Sequence, residues 1–262
     1  MTDPAGSAAG SAGALAGKVG IVTGGGRGMG RAIATAFAAE GADVAIIDRM
    51  DEHFGAVRDD VEGHGRRFHA VQADITEVER LEAIFAGIVD ELGDLDILMN
   101  NAGVSPEAPA FETTEETGDL AMDVNAKALF FCAQAAGRHF LELGKPGKIV
   151  NTSSTYGLTA EPGLSAYAAS KGAVLQVTRA LASEWARHRI NVNAIGPTLI
   201  ETDLTGHLFA DQAYIDEFMK NIPAGALPKP AHVASVVVFL AGPASEFVHG
   251  HLIPVDSGEL VR

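Results

Sequence analysis

Early in the chain VGIVT (Val19–Thr23), a short β-rich run, leads through the glycine turn TGGGRGMG at 23–30 into RAIATAFAAEG, where Ile33 and Phe37 share a helical face before Gly41 ends it. A strand, a tight turn and a helix in that order have one simple continuation, a second strand parallel to the first. The rest of the chain repeats the unit. Val44 to Asp48 is a second apolar run and RFHAVQ a third, ending near Asp74; Val78, Leu81, Phe85, Ile88 and Leu92 then line one helical face that Gly93 stops. Residues 96–100 read as a buried strand, and Thr113 with Glu116 has capping-box spacing that opens a long helix through Phe131 towards Leu143. Strands at 148–153, 190–195 and 251–255 alternate with a helix over 166–188 and an apolar helix around Val236 to Leu240.

This alternation predicts an α/β fold: a single doubly wound Rossmann-type domain, with a parallel seven-stranded sheet and helices on both faces. A chain of 262 residues with 47% hydrophobic content suits one such domain. We place it at 17–262, after an Ala/Gly/Ser-rich tail at 1–16 that is expected to be flexible. A long irregular segment at 197–228 carries one helical patch and is expected to cover a site. Ligands of such sheets sit at the carboxyl ends of the strands, and the candidate polar residues all follow strand ends or lie on the helices that begin there.

The turn between the first strand and first helix is where backbone N–H groups and a helix dipole can hold a pyrophosphate, over Gly24, Arg27, Gly28, Met29 and Gly30. Its glycine spacing is not the strict G-x-G-x-x-G, so the pattern alone is weak. Asp48 comes 20 residues after Gly28 and ends the second strand, where a carboxylate accepts hydrogen bonds from a ribose and repels a 2′-phosphate, which predicts NAD over NADP. Arg27 and Arg49 argue the other way, since each could pair with a phosphate.

In Tyr167-Ala168-Ala169-Ser170-Lys171 the phenol and the ammonium are four residues apart, so a helix puts both on one face. The ammonium, helped by the positive charge of an oxidised nicotinamide, is expected to lower the phenol from its reference near ~10 towards the working range of a general base. NTSS, at the end of the preceding strand, supplies Ser154 to hydrogen-bond a substrate carbonyl. With these motifs in order, and with Asp74-Ile75, NNAG at 100–103 and Asn125 in the long helix, the sequence resembles the short-chain dehydrogenase/reductase family from about Leu15 to Gly258.

That resemblance implies a dinucleotide over Gly24 to Gly30, with Asp48 on the adenosine ribose, Asp74 and Ile75 along the adenine, and Asn101, Ala102 and Gly103 supporting it from the fourth strand. It implies that Tyr167 exchanges the proton with the substrate oxygen, Ser154 holds that oxygen, Lys171 binds the nicotinamide ribose and Asn125 anchors a proton-relaying water. Ile200 and Thr202 match residues that contact the carboxamide. The chain departs from the family wording at Pro197-Thr198, where Pro-Gly is usual, and at VDSG in place of VDGG. The expected activity is interconversion of a secondary alcohol and a ketone; an NADPH-linked acyl-thioester or sugar reductase and a non-catalytic dinucleotide sensor are the alternatives. A homotetramer is also implied by resemblance.

A net charge of −15 repels nucleic acid and anionic membranes. The opening MTDPAGSAAGSAGALAG has neither a basic start nor an apolar core, no later stretch is long enough to span a bilayer, and the single Cys132 leaves no intrachain disulfide, so a cytoplasmic protein is expected. Cys132 reads as a small core residue, Trp185 as helix packing and the pair His249 and His251 as strand-edge packing, so no metal site is expected. Leu204, Leu208, Phe209, Tyr214 and Phe218 either form an apolar lid over a substrate or pack against the domain.

Overall fold

The computed structural model describes residues 13–261. Seven parallel strands, β1 (Val19–Thr23), β2 (Asp43–Asp48), β3 (Phe68–Gln72), β4 (Ile97–Asn100), β5 (Gly147–Thr152), β6 (Ile190–Pro197) and β7 (Leu252–Val255), form one sheet in the order β3-β2-β1-β4-β5-β6-β7. The expected doubly wound sheet is therefore the observed one. The strand order changes direction between β1 and β4, the switch point at whose carboxyl edge ligands of such sheets bind. Thr23 stands opposite Asn100, and Asn100 opposite Asn151, so the registers bring three polar strand ends to one edge.

Strands buried on both faces read as unbroken apolar runs, which is what β1 and β2 are. On one face Leu98, Ile149, Val192, Phe85 and Phe140 are packed with helices α3 (Val78–Leu92) and α5 (Leu129–Glu142). On the other, Val22, Ile46, Ile33, Phe37, Val237 and Leu240 are packed with α1 (Gly28–Ala39) and α9 (Pro230–Ala241). Two further helices are α2 (Phe54–Gly63) and α6 (Ser165–Trp185). Gly93 ends α3 in a left-handed conformation, as its position predicts.

Three expectations need correction. Residues 1–12 of the expected tail lie outside the described residues, but Gly13 to Ala16 are attached: Leu15 is buried at 1% exposure and its N–H donates to the Glu40 carbonyl at 3.0 Å. Leu15 is the one large apolar side chain of that stretch and fills the core beside α1, which outweighs the Ala/Gly composition around it. The N-cap of the long helix is Thr114, whose hydroxyl accepts from Thr117 N–H at 3.1 Å, while the hydroxyl of Thr113 turns back to the Pro109 carbonyl at 3.2 Å. The helix is also not uniform. It runs as α4 (Glu115–Met122), then a π-helical segment, Asp123–Ala128, then α5, a widened turn that apolar periodicity cannot reveal.

Segment 197–228 contains two helices rather than one, α7 (Gly206–Phe209) and α8 (Gln212–Met219). Among the described residues no helix is long and apolar enough to cross a membrane.

Candidate active site

The glycine turn is held by contacts that leave no room for side chains. Gly24 takes a φ of +62°, the left-handed region, and a Cβ there would lie 2.8 Å from Ala102 Cα; a Cβ on Gly30 would lie 2.0 Å from the Gly24 carbonyl oxygen. Asn101 Nδ2 donates to that carbonyl at 2.9 Å, and Thr23 Oγ1 accepts from the N–H groups of Asn101 and Ala102 at 3.1 and 3.2 Å. The loop after β4 is thereby clamped to the turn after β1. No side chain caps α1, and Gly28, Met29 and Gly30 line the cleft, which leaves first-turn N–H groups for an anion.

At the outer end of this cleft Asp48 is pinned by two backbone donors: Gly26 N–H reaches its Oδ2 at 3.0 Å and Met50 N–H its Oδ1 at 3.2 Å. Arg27 stands 3.9 Å from Asp203 and Arg49 3.8 Å from Asp74, both as exposed pairs. Burial works to raise the Asp74 carboxyl, but the N–H and hydroxyl of Thr76 and the Arg49 charge outweigh it and hold it below the usual range. Ile75, Ala102 and Gly103 complete this wall. The cradle that a Cβ would fill, with a fixed acid at its far end, fits an extended dinucleotide.

A second chamber opens from the first through the shared residues Met29, Asn101, Gly103, Thr202 and Leu204. Ser154 follows β5, Tyr167 and Lys171 come from the first turns of α6, Pro197 ends β6 and Ile200 follows it; all five line the chamber. Ser154 Oγ lines the chamber with Tyr167, accepts from Tyr156 N–H at 3.2 Å and donates to the Pro197 carbonyl at 3.5 Å. Lys171 is 3% exposed, donates from Nζ to the Thr152 carbonyl at 2.9 Å and lies 5.6 Å from the centre of the Tyr167 ring.

Burial pushes the Tyr167 phenol up, opposed by the nearby Ser154 hydroxyl, and burial depresses Lys171 to about 8. The expected lowering of the phenol by Lys171 is therefore not what the chain achieves alone. Both groups sit in an environment that favours their neutral forms, and the ammonium is turned to a carbonyl.

Asn125 stands behind this chamber, fully buried in the π-helical segment. Its Oδ1 accepts from Val104 N–H at 2.9 Å, and its Nδ2 donates to the Val104 carbonyl and the Ser170 hydroxyl, each at 2.9 Å. Both amide hydrogens are thus occupied. A Cβ on Gly103 would come within 3.1 Å of Asn125 Oδ1 and 3.4 Å of Lys171 Nζ, so the two side chains close on the same point.

The family model described as enoyl-(acyl carrier protein) reductase matches residues 24–259. The 2-dehydro-3-deoxy-D-gluconate 5-dehydrogenase of Escherichia coli K12 is 39% identical over 235 residues, covering 90% of this chain and 92% of that protein. The chain belongs to the short-chain dehydrogenase/reductase family. A family member from Sinorhizobium meliloti 1021, provisionally described as a short-chain alcohol dehydrogenase, has a solved structure of TM-score 0.91 at 39% identity, covering 94% of this chain and 98% of that one. Another, from Agrobacterium tumefaciens, provisionally described as a 2-deoxy-D-gluconate 3-dehydrogenase, carries bound NADP; its TM-score is 0.88 at 37% identity, over 95% and 98% of the chains. By family membership the chain is an oxidoreductase.

The sequence reading missed Thr152, whose carbonyl holds Lys171, and Val104, which occupies the Asn125 amide. Neither carries a side-chain signal, because both act through backbone. It also missed Tyr156, Glu161 and Glu259, which border a third chamber beside Ser154. Leu204 lines the main cleft, whereas Tyr214 stacks on Phe218 at 6.1 Å and both border that third chamber, so of the expected lid these three face cavities. Cys132 is buried in the core with its thiol pushed up to about 12. Gly137 lies against the Trp185 ring, where a Cβ would approach to 2.9 Å. Among the described residues no group of three or more His, Cys, Asp or Glu side chains could hold a metal ion.

Proposed function

We propose that this short-chain dehydrogenase/reductase interconverts a secondary alcohol and a ketone on a small hydroxylated substrate, with NAD as its preferred cofactor. The observation that carries the reading is the convergence of Ser154, Tyr167 and Lys171 in a chamber continuous with the glycine-turn cleft. Gly24 to Gly30 would hold the dinucleotide's phosphates, Asp48 its adenosine ribose, and Pro197, Ile200 and Thr202 its nicotinamide end. When bound, a nicotinamide dinucleotide would supply the hydride acceptor for the carbinol carbon and the hydride donor for the ketone.

The residues do the rest. Ser154 donates a hydrogen bond to the substrate oxygen and fixes it beside the phenol. In the oxidation direction Tyr167 takes the hydroxyl proton, and in reduction it gives one back. Because burial alone holds the phenol above its ordinary value, positive charge in the chamber is what makes the phenolate accessible, and Lys171 beside the ring supplies part of it when protonated. Asn125 holds the Val104 loop in place behind Lys171.

NAD is favoured because Asp48 is held by two N–H donors and cannot swing away from a 2′-phosphate. The second reading, an NADP-linked enzyme, draws on the NADP in the Agrobacterium relative and on the exposure of Arg27 and Arg49. A screen of secondary alcohols, diols and sugar alcohols with each nucleotide, following reduced nicotinamide by absorbance, tests both. Turnover with NAD on at least one secondary alcohol is expected. Binding of nucleotide with no oxidation of any alcohol and no reduction of the matching ketones refutes the activity.

A further inference from the structure

The third chamber has about 590 Å³ of room and begins two residues beyond Ser154, at Tyr156, whose N–H donates to Ser154 Oγ at 3.2 Å. Its walls come from three distant segments: Glu161 after β5, Tyr214, Glu217 and Phe218 on α8, and Glu259 near the carboxyl end. Among the described residues none of its lining is basic. Glu259 is 7% exposed, and its Oε2 is buried with no hydrogen-bond partner. A buried carboxylate oxygen without a donor is unfavourable, so Glu259 has an acceptor to offer a hydrogen-bond donor that enters the chamber.

The surrounding charges agree in sign. Burial and then the charges of Tyr214, Glu161 and Glu259 push the Tyr156 phenol well up, and burial with Glu161, Glu107 and Glu259 raises Tyr214. Of the other acids, Glu217 is paired with Lys220 at the surface and Glu107 stands 3.9 Å from His207. Glu161 and Glu259 have no such partner among the ion pairs of the described residues. The stacked rings of Tyr214 and Phe218 add aromatic faces, which attract cations and not carboxylates.

We infer that the chamber receives the non-reacting end of the substrate and that this end is a protonated amine, held by Glu259 and Glu161 against the Tyr156 and Tyr214 rings. The enzyme is thereby directed to amino alcohols and amino ketones, and away from the sugar acids named for its Escherichia coli relative. The inference rests on the alcohol dehydrogenase reading above. A carboxylate in the chamber would meet the like charges of Glu161 and Glu259, which disfavours it.

Three six-carbon alcohols with the same secondary carbinol test it: 6-aminohexan-2-ol, hexane-1,5-diol and 5-hydroxyhexanoate, each with saturating NAD and, separately, NADP. We expect kcat/KM to fall in that order, by at least tenfold from amine to acid. Glu259→Gln, which keeps the shape and removes the charge, is expected to compress the amine-to-acid ratio about tenfold. The exposed Glu161→Gln is expected to do so by a smaller factor, and it keeps the test open should the buried substitution impair folding.

An acid oxidised as well as the amine overturns the inference, as does a ratio that neither substitution changes. If no compound is turned over while nucleotide still binds, it is the dehydrogenase reading that fails. The chamber is then read by thermal shift with the same three compounds, where the amine must raise Tm more than the acid and equal shifts overturn the inference.

Discussion

At the β1–β4 end of the cleft the contacts are made by backbone: Gly24 against Ala102, Gly30 against the Gly24 carbonyl, and Asp48 received by the N–H groups of Gly26 and Met50. At the end bounded by Tyr156, Tyr214 and Glu259 the contacts are made by side chains from three segments that together span about a hundred residues of the chain, with an acceptor left unpartnered. Between the two ends sit Ser154, Tyr167 and Lys171. The first region is rigid because a displaced atom meets main chain, while the second tolerates exchange of one side chain for another. A family with one chemistry and many substrates requires that division, since the nucleotide is common and the other ligand is not.

The largest expected effect falls between the two regions. Tyr167→Phe removes the proton path and leaves the shape, so turnover is expected to drop by about 10²- to 10⁴-fold with the nucleotide Kd unchanged. Equal turnover in the two proteins would show that the phenol is not the proton-transfer group. Next is Lys171, whose burial lowers it from 10.5 in an unfolded chain to about 8. The unfolded chain holds the extra proton between those values, so this group's contribution makes folding stability rise as pH climbs through the window from 8 to 10.5. The full difference is about 3 kcal/mol. Lys171→Met is expected to flatten that rise in urea unfolding measured at pH 7.5 and pH 9.5, and an unchanged slope refutes the depressed ammonium.

Breaking the backbone-built end requires only one carbon. Gly30→Ala places a Cβ 2.0 Å from a carbonyl oxygen, and we expect a loss of about 1–3 kcal/mol together with weaker nucleotide binding, read by denaturation and by fluorescence titration. A variant that melts and binds like the parent would mean that the turn is pliant and that the contrast drawn above is wrong. Asp48→Ala is gentler on the fold. It is expected to raise affinity for NADP relative to NAD about tenfold, about 1.4 kcal/mol, and unchanged relative dissociation constants would mean that the acid does not face the ribose.

The sequence was most legible where function is carried by a local pattern. The alternation of apolar runs and helical faces gave all seven strands, most plainly β1 and β2, which are buried along nearly their whole length. Turn glycines and the Tyr167/Lys171 pair are likewise local, and they line adjoining cavities. What could not be read depends on distance in the chain. No spacing rule connects Glu161 to Glu259, and nothing in DVNAKA marks a π-helical turn, since its residues suit an ordinary helix. Leu15 was assigned to a loose tail by the composition around it, whereas one apolar side chain with a place to go was decisive. The acidity of Tyr167 illustrates a further limit: spacing shows that an ammonium is near but not that burial opposes its effect.

The smallest expected effect sharpens the cofactor question. Arg49 and Asp74 are 3.8 Å apart with side chains 64% and 35% exposed, so water screens the pair and it contributes little to stability. Arg49→Ala is therefore expected to change the unfolding free energy by less than about 0.5 kcal/mol. Its effect on NADP is the informative part. If Asp48 governs the ribose end, NADP binds poorly with or without Arg49, and removing the guanidinium shifts the NAD-to-NADP ratio less than threefold. A selective loss of NADP affinity of tenfold or more would instead show that this arginine leaves Asp74 to pair with the 2′-phosphate, and the preference for NAD would have to be given up.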